Sequence, residues 1–129
     1  MPLIRCDYSE HHFSDENLKI LVKKLFDVSA DLCNYSEQDA QNKISIFSKP
    51  FGKFDHSTAS AEVEVLAKIT GFDKSGKTRQ DVRAEWLKAY ESALIPLALQ
   101  AKLSAPIIFT VKFLDWLVVV VSSQGSVPN

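Results

Sequence analysis

The chain begins with the stretch Met1–Ser9, MPLIRCDYS, and the interpretation of the whole sequence depends on the proline at its second position. The residues after the proline favour a strand, and proline is tolerated at the first position of a strand. Side chains on a strand alternate between two faces, so one face carries Pro2, Ile4, Cys6 and Tyr8 and the other Leu3, Arg5 and Asp7.

Pro2 is a candidate catalytic base. Initiator methionine is usually removed when the next residue is as small as proline, and the mature chain would then begin with a secondary amine. An α-amino group titrates near ~8, and a catalytic base works best when its pKa is near the working pH. Apolar surroundings or nearby cations would lower the pKa further. The alternative is that Met-Pro simply starts the chain and has no chemical role.

The segment resembles the start of the 5-carboxymethyl-2-hydroxymuconate isomerases of the tautomerase superfamily. These enzymes open with Met-Pro, four mostly apolar residues, an acidic residue, an aromatic residue or cysteine, and serine. The resemblance implies an α+β fold of two β-α-β units in a ferredoxin-like two-layer sandwich (tautomerase/MIF-like), assembling as a homotrimer whose helix-free sheet faces line a central barrel. It also implies a cofactor-independent keto-enol tautomerase of a small carboxylated, unsaturated 2-oxo acid, with Pro2 moving the proton.

Length and composition indicate one domain over residues 1–129, and the order of elements predicts a repeat of pattern, without visible sequence identity, between residues 1–58 and 59–129. The 129 residues include 15 Lys and Arg against 16 Asp and Glu, a net charge of −1 that gives no general attraction to nucleic acid or to an anionic membrane. No apolar run approaches the ~20 residues that span a bilayer. A cytoplasmic protein is the simplest expectation. The two cysteines are too few for a disulfide scaffold, and no residue spacing suggests a metal or cofactor site.

The pattern along the chain predicts strand, helix, strand, and then the same order again. Helices are predicted from a cap at Ser14 to about Asn34 and from a cap at Thr78 onward, with Pro96 kinking or ending the second one. Strands are predicted at residues 42–48, 61–69 and 107–113, after the first one. The order predicts a two-layer α+β sandwich with both helices on one face of the sheet.

A run of six apolar residues, Trp116–Val121, follows the last predicted strand. If exposed, such a run would promote edge-to-edge aggregation. It could be buried within the monomer or against a neighbouring subunit. We expect the second, because helices on one face leave the other face of the sheet uncovered.

Four cations lie within ten residues and predict a site for a carboxylate substrate: Lys74, Lys77, Arg79 and Arg83. Arg79 stands at the first position of the second helix, where free backbone N–H groups also attract anions. The alternative is a solvated basic loop. The resemblance to the tautomerase superfamily implies a basic residue at the start of the second helix, and Arg79 stands at that place. Lys43 stands on the second strand where a related enzyme has arginine, and lysine cannot form a bidentate fork with a carboxylate.

Tyr8, on the same strand face as Pro2, is a candidate hydrogen-bond donor to an oxyanion, although such a tyrosine more often only packs. The substrate-binding residues predicted with the catalytic Pro2 are therefore Arg79, Lys43, Tyr8 and Lys77.

Two other functions remain open at this point. Residues 71–78, GFDKSGKT, match the phosphate-binding pattern GxxxxGK[ST] between a predicted strand and helix, with Asp115 as the one candidate magnesium ligand. A nucleotide-binding protein normally has a larger parallel sheet, which weighs against this interpretation. Alternatively, a chain that keeps Met1 would be a catalytically inactive trimer of the same fold that acts as a binding module.

Overall fold

Six strands and three helices follow one another in the computed structural model, which describes residues 2–68, 76–113, 119–122 and 125–128. In chain order they are β1 (Leu3–Tyr8), α1 (Asp15–Leu32), α2 (Glu37–Lys43), β2 (Ser45–Pro50), β3 (Ala61–Ala67), α3 (Arg79–Ala101), β4 (Ile107–Phe113), β5 (Val119–Ser122) and β6 (Gly125–Pro128).

Four of the strands form one mixed sheet in the order β2-β1-β3-β4. β1 and β2 are parallel and are joined through α1 and α2, and β3 and β4 are parallel and are joined through α3. The two pairs meet where β1 and β3 run antiparallel, with Leu3 opposite Leu66 and Asp7 opposite Glu62. The predicted α+β class with two strand-helix-strand units is the observed one.

The core lies between the helices and one face of the sheet, as the alternation predicted. On β1, Ile4 and Cys6 are buried while Arg5 is exposed. On β3 the buried residues are Ala61, Val63, Val65 and Ala67. Trp86, Tyr90 and Leu94 of α3 and Leu21 and Leu25 of α1 cover this face.

Both long helices begin at the predicted caps. The Ser14 side chain accepts a hydrogen bond from Asn17 N, and α1 ends with Cys33 as its C-cap, one residue before the predicted end. At α3 the Thr78 hydroxyl accepts from Asp81 N while the Asp81 carboxylate accepts from Thr78 N, a reciprocal capping box.

The prediction of a strand from residue 42 is wrong at its start, because residues 37–43 form α2. Ser36 caps this helix by accepting a hydrogen bond from Asp39 N, and Ala40 is buried on its inner side. α2 has little apolar periodicity, so the spacing of apolar residues does not predict it. The cap at Ser36 with acidic residues in the first turn was the available signal. Lys43 is therefore the last residue of α2 and does not lie on the second strand.

The second helix does not end at Pro96, although this proline lies inside it. α3 continues to Ala101, and Lys102 ends it in the left-handed conformation with φ 52°. Pro96 is exposed whereas Leu94 and Leu97 are buried on either side of it. Packing of the flanking leucines thus outweighs the one backbone hydrogen bond that proline removes.

The C-terminal apolar run lies partly outside the described residues, which include only 119–121 of it. These belong to β5, which pairs antiparallel with β6 in a separate two-stranded sheet.

Candidate active site

Pro2 lies at the start of an interior strand, and less than 2% of its surface is exposed. Its carbonyl oxygen accepts a hydrogen bond from Ser45 N at 3.1 Å, which ties the beginning of β1 to the beginning of β2. On the alternation of β1 its side chain shares the helix-covered face with Ile4 and Cys6. The structure therefore places Pro2 in a buried position.

The end of α1 and the turn after it contribute Cys33 and Tyr35, two residues that the sequence did not mark as site candidates. Burial raises the pKa of the Cys33 thiol, while the positive charge at the amino terminus and a hydrogen bond with Tyr35 lower it less. Burial is also the main cause that raises the pKa of the Tyr35 hydroxyl, with smaller contributions from Cys33. Both groups are therefore neutral at pH 7.

Lys43 lies next to this turn. Its Nζ is 5.4 Å from the centre of the Tyr35 ring and 3.9 Å from the Asp39 carboxylate. The ammonium group is half exposed, with 51% of the side chain accessible. Because Ser45 pairs with Leu3 in the parallel register, Lys43 stands one residue before Ile44, the position beside Pro2.

The beginning of α3 places Arg79 and Arg83 at the end of the sheet where Pro2 precedes β1. β3 runs antiparallel to β1 and ends here, and β4 also ends here at Phe113. The Arg83 guanidinium lies 5.7 Å from the centre of the Phe113 ring, which places the first turns of α3 at this end. Phe113 is two strands away from β1, about 10 Å, so Arg83 lies at the same end of the sheet as Pro2 but on the far side of β3.

Arg83 has an unused hydrogen-bond donor. Its Nε is buried and, among the described residues, has no hydrogen-bond partner. Arg79 is one helical turn earlier on the same side of α3 and is half buried. A buried donor without a partner is costly, so an anion that accepted from Arg83 would stabilise this arrangement.

The structure describes residues 76–78 of the phosphate-binding pattern. In this part, the Lys77 and Thr78 side chains that the pattern requires both contact other groups. Lys77 Nζ is 2.6 Å from Glu85 Oε1, and the Thr78 hydroxyl caps α3. Gly76, with φ 77°, takes a left-handed turn into this cap. Residues 71–75 and Asp115 lie outside the described residues. Lys77 is consequently held toward α3 by Glu85, which weakens its candidacy both for phosphate and for substrate.

Tyr8 lies at the far end of β1 from Pro2. Six residue steps of a strand separate them, about 20 Å. Its ring packs edge to face against Phe13, with centroids 6.5 Å apart. Within one chain, Tyr8 thus belongs to the opposite end of the sheet from Pro2.

The helix-free face of the sheet is polar and open. Cross-strand rows run Phe47, Arg5, Glu64 and Thr110, and next to them Lys49, Asp7, Glu62 and Ile108. Lys112 pairs with Glu64 at 3.5 Å. Shallow cavities of about 410 and 260 Å³ open onto this face around Arg5 and Asp7. Pro2 lines neither of them, since its side chain is on the other face.

Two further observations limit the kinds of site in the described ranges. Within 2–68 and 76–113, no group of three or more His, Cys, Asp or Glu side chains is arranged to hold a metal ion. Of the helices that the structure describes, none combines the length and apolar character needed to cross a bilayer.

Comparison with known proteins finds solved structures whose fold is similar to that of this chain. No family model matches the chain, and no curated protein matches it. Among solved structures, a fused 4-OT symmetric trimer is 14% identical, with a TM-score of 0.60 over 95% of this chain and 93% of that one. A malonate semialdehyde decarboxylase inhibited by 3-bromopropiolate is 11% identical, with a TM-score of 0.58 over 87% of this chain and 82% of that one.

A macrophage migration inhibitory factor-like protein from Entamoeba histolytica is 8% identical, with a TM-score of 0.54 over 88% of both chains. These neighbours have the tautomerase fold, and this chain is a small α+β protein with a four-stranded mixed sheet of that kind. At such identities the likeness shows the fold and leaves substrate and mechanism open.

Proposed function

We propose that this chain is a cofactor-independent tautomerase or isomerase of small carboxylated, unsaturated 2-oxo acids, with Pro2 as general acid and base. Removal of Met1 turns the Pro2 amide nitrogen into a secondary amine. That amine takes a proton from the carbon next to the substrate carbonyl and returns it to a conjugated carbon. Arg79 and Arg83 hold the carboxylate, and Lys43 supplies a third cation from the other side of Pro2.

The observation that carries the proposal is the buried position of Pro2 at the sheet end where α3 begins. Burial disfavours the protonated amine, and so do neighbouring cations. The partnerless Nε of Arg83 offers a hydrogen bond to an incoming carboxylate. An amine base of lowered pKa, at the same sheet end as guanidinium groups that bind the carboxylate, would deprotonate a 2-oxo acid.

The fold neighbours support this proposal by their own activities. One is a malonate semialdehyde decarboxylase with decarboxylase and hydratase activities, studied also as a proline-to-alanine variant at its first position and in an inactivated form. Others are 4-OT trimers. Decarboxylation and hydration of a 2-oxo or 3-oxo acid are the nearest competing reactions for this chain, because the same amine can serve them.

We also propose that the active unit is a homotrimer. The open sheet face exposes Phe47, with 63% of its surface accessible, beside Arg5. Packing of this face against other copies would bury Phe47 and pair the mixed charges around it. A neighbouring subunit could then close the pocket over Pro2.

The test compares wild type with Pro2→Ala on an enolised 2-oxo acid. We expect kcat/KM to fall by about 10²–10⁴-fold, the usual contribution of a general base. Pro50→Ala, at an exposed proline that ends β2, is the matched control and should keep full activity. Mass spectrometry of the purified protein establishes whether Met1 has been removed.

Equal rates for wild type and Pro2→Ala, with Met1 removed from both, would contradict the proposal. Retained Met1 together with tight binding of a carboxylate but no turnover would favour the inactive binding module instead.

A further inference from the structure

Ser9, His12 and Ser104 form a chain of hydrogen bonds at the end of the sheet opposite Pro2. His12 Nδ1 is 2.9 Å from Ser9 Oγ, and His12 Nε2 is 3.2 Å from Ser104 Oγ. With the proton on Nδ1, the imidazole donates to Ser9 and leaves Nε2 free to accept from the Ser104 hydroxyl.

The backbone holds both ends of this chain in place. Ser9 N donates to Ser60 O at 2.8 Å, and His12 N donates to Ser9 O at 3.1 Å. Ser104 lies between the end of α3 and Pro106, whose carbonyl oxygen accepts from both the backbone and the side chain of Ser60. Ser60 therefore joins the loop that carries His12 to the loop that carries Ser104.

An apolar cavity of about 580 Å³ opens beside Ser104, between α3 and β4. Its walls are mostly aliphatic and aromatic and include Leu94, Ile95, Leu103, Ile107 and Phe109, with Glu91 as an acidic side chain in the lining. The cavity has the volume of a small-molecule site. Its apolar walls favour a hydrophobic ligand, and the Glu91 side chain disfavours an anionic one.

We propose that Ser104 and His12 form an acyl-transfer site, with Ser104 as nucleophile, His12 as general base and Ser9 as positioning residue, acting on neutral esters whose acyl group occupies the apolar cavity. A nucleophile within hydrogen-bond reach of a base that a third group orients is the arrangement typical of an activated serine. Here the third group is a hydroxyl.

The reaction balances without any cofactor. Ser104 Oγ bonds to the ester carbonyl carbon while its proton passes to His12 Nε2. The bond to the alcohol oxygen then breaks, and the alcohol leaves with that proton. In the second half, water gives its proton to Nε2, its oxygen bonds to the acyl carbon, and Ser104 regains its hydrogen as the free acid departs.

This site is independent of the proposed tautomerase site. The length of β1, about 20 Å, separates the two, and they favour opposite ligands. The cations near Pro2 suit carboxylates, whereas the cavity beside Ser104 is apolar and has an acidic lining residue. Loss of one activity therefore leaves the other unchanged.

The first experiment measures hydrolysis of p-nitrophenyl butyrate by the purified full-length chain. We expect Ser104→Ala and His12→Ala to lower kcat/KM by about 100-fold, within the range of an acid–base contribution. Ser92→Ala, at an exposed serine of α3, and His11→Ala, at the exposed histidine next to His12, are matched controls that keep the wild-type rate.

A second measurement tests the covalent step directly. After brief reaction with the ester and acid quenching, peptide mass spectrometry should locate one butyryl group on Ser104 of the wild-type chain and none there in His12→Ala. Ser9→Ala should lower kcat with little change in KM, and Ser9→Thr, which keeps the hydroxyl, should restore it.

Equal ester hydrolysis by wild type and Ser104→Ala, or a butyryl group found on lysine side chains alone, would overturn the proposal. Because Ser104 is exposed, its replacement by alanine should leave the fold intact, and an unchanged unfolding transition verifies this.

Discussion

At the scale of single residues, the proposal that Pro2 is a base depends on the surroundings of its nitrogen. A proline amine in water would be largely protonated at pH 7, since an α-amino group titrates near ~8. Pro2 is removed from solvent, and the cations of α3 and α2 approach the same sheet end from either side. Both effects disfavour the positive charge on the amine.

The pH profile of the proposed reaction follows from this environment. kcat/KM should rise with pH as the Pro2 amine loses its proton, and level off with an apparent pKa below ~8. Arg83→Ala removes a positive charge and should move that pKa upward, with Lys49→Ala, opposite Asp7 toward the Tyr8 end of the open face, as a control that leaves it in place. Steady-state rates between pH 5 and 9 measure both values. A profile that does not change with pH would exclude an amine base.

The two thiols should differ in reactivity for the same kind of reason. Burial, with a smaller contribution from Asp7, raises the pKa of the Cys6 thiol to about 12, so almost no thiolate is present at pH 8. Cys33 is only half buried. We expect one thiol per chain to react slowly with a thiol-specific reagent in the native state and two after denaturation. Cys33→Ser should leave none that reacts in the native state.

At the scale of the elements, the contact between α1 and α3 depends on one buried polar pair. Ser29 Oγ donates to Leu25 O at 2.7 Å and lies 2.6 Å from the Tyr90 hydroxyl, which therefore donates to Ser29. The Tyr90 ring also stacks on Phe109 of β4, with centroids 5.8 Å apart. This hydrogen bond and this stacking join both long helices to the sheet.

Removing either partner of this pair should destabilise the fold. Ser29→Ala leaves the buried Tyr90 hydroxyl without its acceptor and should lower the free energy of unfolding by about 1–3 kcal/mol. Tyr90→Phe should cost a similar amount or less. The double variant should cost clearly less than the sum of the two, because no orphaned hydroxyl remains. Urea denaturation measures all three, and strict additivity would contradict the coupling.

The same tyrosine predicts a loss of stability in alkali. Burial raises the pKa of Tyr90 to about 12, whereas an unfolded tyrosine titrates near ~10. A raised pKa in the folded state means that the stabilisation is complete below pH ~10 and is lost as the pH rises toward 12. Tyr90→Phe should remove this part of the pH dependence of the unfolding free energy.

At the scale of the whole molecule, the open sheet face is the feature that a single chain leaves uncovered. It carries the exposed Phe47 and Ile108 among charged side chains. Covering it with copies of the same chain would remove apolar surface from water. The homotrimer is thus a proposal about how this face is used.

Native mass spectrometry and light scattering test the assembly. Wild type should have the mass of three chains. Phe47→Lys adds a positive charge beside Arg5 and Lys49 on the open face and should shift the protein toward monomer. Phe54→Lys, at a loop phenylalanine with 93% of its surface exposed, should not. A wild type that is monomeric at all concentrations would refute the trimer. The residues of a single chain would then have to form any pocket around Pro2.

How much the sequence predicted depends on how strongly local patterns specify each part. The alternation on β1 and β3 and the caps at Ser14 and Thr78 correctly predicted faces and helix starts, because burial of one strand face and satisfaction of helix N–H groups are local requirements. The helix at residues 37–43 was missed because its burial depends on a single alanine. Pro96 was predicted to kink or end the second helix, and it does not end it, because buried leucines on both sides hold the helix together.

By itself, the sequence determined the α+β class, the strand-helix-strand order and the buried face of each strand, since these follow from side-chain periodicity. Only the tertiary structure decided which distant residues meet. It placed Arg83 with Phe113 at the Pro2 end, moved Tyr8 to the opposite end, paired Lys77 with Glu85, and brought Ser104 to His12. Such contacts join residues far apart in the chain, and they depend on strand order and helix packing, which no local pattern specifies.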